Sequence, residues 1–231
     1  MIIELHAHTK VNSSCAHKGI VDLIEKYHAK GYDAVVITDH LNDWTVGIKD
    51  ADKDWCGFVD KFYTPVKEGG EYAEKYGMRV FFGCEIRFVN DENDYLVYGM
   101  TPEFLKKHPD IRKSDIAKFH ELAKENGFLV FQAHPFRDNM KVTPVKHLDG
   151  IEVNNGNPRQ SSRNDFARLW ADTFGLRMIS GSDFHEDGDE GLGGIITARD
   201  IKNEGELCEL LLSGEYMLIS DPVGGLLKNN K

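Results

Sequence analysis

The chain has 231 residues, 41% of them hydrophobic and 29% charged, with a formal net charge of −10; a chain this long buries a core without disulfides or structural metal, so any metal it binds serves chemistry. The acidic balance, with no basic arm or tail, argues against strong non-specific binding to nucleic acid. The four cysteines (Cys15, Cys56, Cys84, Cys208) form no CxxC pair, and neither a signal peptide nor an apolar membrane-spanning run is visible, so free thiols and a cytoplasmic location are expected.

In chain order, residues 2–8 read as a strand and residues 21–30 as a helix stopped by Gly31. Residues 33–38 form a second strand, rich in Val and Ile. Residues 42–57, which include Trp44 and Trp55, form a long irregular insertion of the kind used as a lid or binding loop. The spacing predicts a helix over 59–76, weakened by Gly69-Gly70, then strands over 79–85 and 95–100. A helix over 114–126 is stopped by Gly127. Strands over 128–133 and 150–153, a helix over 163–174 stopped by Gly175, strands over 176–180 and 194–197, and a helix over 204–212 complete the chain. This rhythm predicts a parallel sheet with helices packed outside. About seven such units in one domain, residues 1–231, predict a closed α/β barrel.

Five histidines fall at or just beyond strand C-termini: His6 and His8, His40 in Thr38-Asp39-His40, His134 in Ala133-His134-Pro135, and His185 in Ser182-Asp183-Phe184-His185. Glu85 also ends a strand. In barrels of parallel strands these ends form the active face. Residues i and i+2 of a strand share a side, so His6 and His8 are placed to grip one ion, and Asp183 and His185 have the same spacing. Imidazole and carboxylate donors suit zinc, iron and manganese. A lone loop histidine is normally just solvated; the whole set at strand ends is not explained by packing. His28, His108, His120 and His147 have no such partners and receive no role.

His6-Ala7-His8-Thr9, Thr38-Asp39-His40, Gly83-Cys84-Glu85, Ala133-His134-Pro135 and Ser182-Asp183-Phe184-His185, in this order, resemble the PHP superfamily, named for polymerase and histidinol phosphatase. The resemblance implies a distorted (β/α)7 TIM-like barrel carrying two or three divalent metal ions. His6, His8, Glu85 and Asp183 would hold the first ion. Glu85 would bridge to a second ion held by His134, and His40 and His185 would hold a third. The chain resembles stand-alone members, without an appended polymerase. Two positions depart from the family pattern. Asp94 stands where a second-ion histidine is expected, and could be a ligand or a turn residue. The loop after His8 offers His17 and Cys15 in place of an acidic ligand, with His17 the better match to the other donors and an empty third site the remaining alternative.

The expected reaction is hydrolysis of a small phosphate ester, a monoester first, by metal-bound hydroxide. His40, His185 and Asp39 are candidate proton donors to the leaving group. Arg87, Arg137 and Arg159 are candidate forks for phosphate oxygens, against the alternative that each is a surface residue or a carboxylate's partner. Asn154 and Asn155 follow another strand end and could touch substrate or orient ligands. The rivals are an amidohydrolase acting on a C–N bond and a regulatory module that keeps metal without catalysis.

Overall fold

A computed structural model describes residues 1–220. The elements are β1 (Ile2–Ala7), α1 (Ile20–Ala29), β2 (Ala34–Ile37), β3 (His40–Leu41), α2 (Trp55–Ala73), β4 (Arg79–Ile86), β5 (Tyr95–Tyr98), α3 (Pro102–Lys106), α4 (Ile116–Asn126), β6 (Leu129–Gln132), β7 (Gly150–Asn155), α5 (Asn164–Phe174), β8 (Arg177–Gly181), β9 (Ile195–Ile196), α6 (Glu204–Ser213) and β10 (Met217–Leu218). The strands form one sheet in the order β10-β9-β1-β2-β4-β5-β6-β7-β8, with β3 beside β4. The segment after β8 returns to β1 through a parallel bridge between Ala7 and Phe184, so the sheet curls into a nearly closed barrel.

The sheet is not wholly parallel as expected. β5 runs antiparallel to both β4 and β6, and β9 runs antiparallel to β1 and β10. The reason lies in the connections: residues 87–94 are too few for the crossover of about a dozen or more residues that a parallel neighbour requires. The insertion at 42–57 is also more ordered than expected. It holds a 3-10 turn over Ile48–Lys53, and α2 starts within it at Trp55, where Asp54 accepts from Gly57 N (2.9 Å) as N-cap. Gly69 does not break α2, because a Cβ there would come 2.6 Å from Ile20 Cγ1 of α1; the glycine lets the two helices meet closely. α4 starts after Asp115, which caps Lys118 N, one residue past the expected Ser114.

Two apolar clusters define the faces of the sheet. Ile3, Leu5, Ala34, Val36, Phe81, Leu96 and Phe131 fill one, joined by Leu207, Leu210 and Leu211 of α6. Val35, Ile37, Phe82, Cys84, Val97, Val130 and Ile151 face α1, α2 and α4 in the other. Strict alternation would put Ile3 and Ala7 on one side, yet Ile3 lies in the first cluster and Ala7 in the second. The β1–β2 register shifts between Glu4 and Ala7, and a shift of this kind re-aims the side chains beyond it. It turns His6 and His8, on either side of Ala7, into the barrel.

Candidate metal centre

Each ligand candidate is aimed by a local backbone device. β3 pairs with β4 so that His40 stands directly beside Glu85. His134 and Asp183 both have positive φ (27° and 52°), and this re-directs them where their strands end. Three groups result, each with ligand atoms within 4.8 Å of one another: His6, His8 and Asp183; His6, Glu85 and His134; His8, His40 and His185. Shared members tie the groups into one centre. All seven side chains are buried except His185, which is partly exposed.

The donor chemistry fits metal. Glu152 Oε1 lies 2.9 Å from His6 Nδ1, and a carboxylate only accepts, so Nδ1 carries the proton. His185 Nδ1 likewise donates to the Asp183 carbonyl (2.9 Å). Ser13 Oγ spends its proton on Asp39 Oδ1 (2.8 Å), so it accepts from His8 Nδ1 at 3.4 Å. In their neutral form, the form that binds metal, these three rings therefore present a bare Nε2. Yet His6 Nε2 and His8 Nε2 stand 3.0 Å apart, each 3.3 Å from Asp183 Oδ1 and 3.5 Å from an oxygen of Glu85. Acceptors converging this closely need a cation among them. His134 Nδ1 and His40 Nδ1 are buried without a hydrogen-bond partner, although His40 Nδ1 lies 2.7 Å from Glu85 Oε2. The electrostatics agree. Burial pushes Glu85 and Asp183 up, but His6 with His40 holds the first well below the usual carboxylate range, and His6 with Arg137 does so for the second.

The other candidates are placed as follows. Asp39 does not line the cavity. Both its oxygens are taken by Thr9 N and Oγ1, Asn12 Nδ2 and Ser13 Oγ, so it braces the loop after β1. Asp94 forms a two-pronged pair with Arg87 and belongs to none of the three groups. Arg137 donates to Asp183 Oδ2 (2.6 Å), Asn155 Oδ1 (2.7 Å) and Ser162 Oγ (3.1 Å). Arg159 pairs with Asp189 and Glu186. Asn155 bonds Glu152 and Asp183, whereas Asn154 turns to Ser180 and the Ile219 carbonyl. His17 is exposed at the rim, its backbone N–H on the His185 carbonyl (2.8 Å). Cys15 lies deeper: burial pushes its thiol up, but hydrogen bonds with His185 and His40 bring it down to about 7. Among the described residues neither joins a ligand group.

Two buried acids were not singled out from the sequence. Glu152 orients His6. Glu4 accepts from Leu5 N, His6 N, Ser182 N and Oγ, and Tyr27 Oη, tying β1 to the Ser182–Asp183 turn. Each stands between two apolar residues of its strand, Ile3 and Leu5 or Ile151 and Val153, and that was the available signal.

Of the ligand candidates, His40, Glu85, His134, Asp183 and His185 line a cavity of about 680 Å³ whose walls include Trp44, Arg87, Arg137 and Arg159; His6 and His8 lie buried beneath it. No curated protein matches the sequence. Solved structures share the fold. A two-domain protein from Bacteroides vulgatus containing a predicted PHP-like metal-dependent phosphoesterase is 19% identical, with a TM-score of 0.67 over 94% of this chain. This chain covers 64% of that protein's length. An amidohydrolase from Chromobacterium violaceum is 15% identical over 95% of this chain and 98% of its own, with a TM-score of 0.56. A lesion-specific endonuclease from Pyrococcus furiosus is 14% identical over 94% of this chain and 57% of its own, with a TM-score of 0.61. The sequence profile of the PHP domain matches residues 4–216, a span that holds all three ligand groups, and the chain belongs to the PHP domain family.

Proposed function

We propose that the chain is a metal-dependent phosphoesterase acting on a small phosphate ester, a monoester first. The observation that carries the reading is the convergence of bare imidazole nitrogens and carboxylate oxygens on a cavity whose wall also bears three arginines. Each ring has one bare nitrogen and can serve one ion, so His6 and His8 with Asp183 and Glu85 would hold one divalent ion, Glu85 and His134 a second, and His40 and His185 a third. Nitrogen and oxygen donors of this kind suit zinc, manganese or iron. Such ions supply Lewis acidity, acidifying water and offsetting charge on phosphoryl oxygens.

The chain's own groups do the rest. Arg87 and Arg137 each have an Nη1 without a hydrogen bond among the described residues, left over for a phosphoryl oxygen after the carboxylates are satisfied. Arg159, the most exposed of the three, would meet the outer part of the ester. When it holds no ion and its Nε2 is protonated, His185, partly exposed on the cavity wall, is better placed than Asp39 to protonate a leaving oxygen. If it holds one, the leaving oxygen takes its proton from solvent.

The test is a panel of phosphate monoesters, diesters and amides offered to protein reloaded with zinc, manganese or iron. Phosphate release that stops on chelation and returns with metal is the expected result. Ammonia release without phosphate would replace the reading with an amidohydrolase. Cleavage of diesters or nucleic acid alone would move the substrate to that class.

A further inference from the structure

Glu152 lies in β7, 1% exposed, and no step above uses it. Its Oε1 takes the His6 Nδ1 proton at 2.9 Å. Its Oε2 accepts from the His134 backbone N–H (2.9 Å) and from Asn155 Nδ2 (2.9 Å). These contacts fall on the two most constrained members of the centre. His6 is shared by two of the three ligand groups. His134 holds a φ of 27°, a conformation that side-chain-bearing residues keep only when surrounding contacts impose it.

We propose that Glu152 is the positioning residue of the centre: one carboxylate fixes both the ligating tautomer of His6 and the turned backbone of His134, so the ion held by His6 and the ion held by His134 are set together. The inference rests on the metal centre described above and not on which bond is cleaved. Glu152 does not touch substrate or ion. It acts through His6, as carboxylates behind metal-bound histidines do in general.

Hydrogen-bond polarity makes the role testable. A backbone N–H cannot become an acceptor. In Glu152→Gln the amide oxygen must therefore stay opposite His134 N, which leaves the NH2 facing His6 Nδ1. Two donors cannot face each other, so His6 switches to the tautomer with Nδ1 bare and Nε2 protonated. That Nε2 no longer ligates, and its hydrogen points toward His8 Nε2, 3.0 Å away. Glu152→Ala leaves no donor at that place. His6 is then free to take either tautomer, and a small carboxylate from solution has room to stand in.

The experiment uses the full chain with zinc as probe. Elemental analysis and competitive titration at buffered free zinc read affinity and stoichiometry, and imidazole 15N shifts of the metal-free protein read the His6 tautomer. Glu152→Gln should show His6 protonated at Nε2, with the ion held by His6 weakened about 10- to 100-fold and the ion at His40 and His185 least affected. Glu152→Ala should be weakened less than Glu152→Gln and regain affinity in formate. Unchanged zinc affinity and tautomer in Glu152→Gln would overturn the proposal, as would equal loss from every position with a lowered melting temperature and no formate rescue of Glu152→Ala. If these shifts occur while no phosphate ester is turned over, the positioning role stands and the phosphoesterase reading falls.

Discussion

Glu85 gives the sharpest prediction, because one carboxylate reaches four imidazoles. Oε1 lies 3.0 Å from His134 Nε2 and 3.5 Å from His6 Nε2, and Oε2 lies 2.7 Å from His40 Nδ1 and 3.5 Å from His8 Nε2. Burial pushes Glu85 up, but the neighbouring His6 and His40 hold it ionised well below the usual range, so Glu85→Gln removes a full charge at neutral pH while keeping shape. A unit-charge interaction at about 4 Å with partial screening is worth about 4 kcal/mol. At 1.4 kcal/mol per tenfold, that is roughly a thousandfold in affinity for the ion between Glu85 and His134. The position at His40 and His185 does not draw on Glu85 as ligand and should keep its ion better. The assay is metal content after dialysis at a series of buffered zinc concentrations, with circular dichroism to verify the fold. The apolar clusters do not include Glu85, so the fold should persist. A variant that retains every ion at the same free zinc as the parent protein would refute the bridging geometry and the three-group centre with it.

Arg159→Lys keeps a charge beside Asp189 but loses the planar fork, and should lower kcat/KM for a dianionic ester roughly tenfold with metal content unchanged; equal kcat/KM for both proteins would remove Arg159 from the substrate path. Gly193→Ala would bring a Cβ to 2.1 Å from the Gly181 carbonyl carbon and 2.6 Å from Ser182 N, backbone that cannot step aside. The expected cost is about 3 kcal/mol, seen in calorimetry as a Tm lowered by roughly 6 to 12 °C, and a shift under about 2 °C would contradict that packing. Iodoacetamide at pH 8 should modify exposed Cys56 in the native protein and spare Cys84 and Cys208; burial pushes the Cys208 thiol up to about 12. Mass spectrometry showing rapid native labelling of Cys208 would mean that α6 does not pack this face against β5.

The barrel was readable because its signals are local. Gly31, Gly127 and Gly175 follow their helices in left-handed backbone, where a side chain is disfavoured, and the strands between carry runs of Val, Ile and Phe. The direction of β5 was not readable from apolar content, since a buried strand looks the same in either sense. It was available only from the length of the 87–94 connection. The start of α2 was hidden for a different reason: its first turn directly follows a charged stretch, and Asp54 acts as a cap there rather than as one more loop charge.

At the site, residue types were legible and their aim was not. Imidazoles and carboxylates gathered at strand ends announce metal, because few other demands place them there together. What turns them inward is non-local: the register shift in β1, and the positive φ of His134 and Asp183, which neighbouring contacts impose. Asp39 shows the cost of reading type alone, for its oxygens are spent on four donors from the loop after β1. Glu4 and Glu152 show the converse. Burying an ionised carboxylate is tolerable only when donors surround it. An acid flanked by apolar residues in a buried strand thus predicts, from sequence, a set of donors that must be found in the fold. Here those donors are the backbone of His6 and His134 and the ring of His6, so each acid points back to the metal centre.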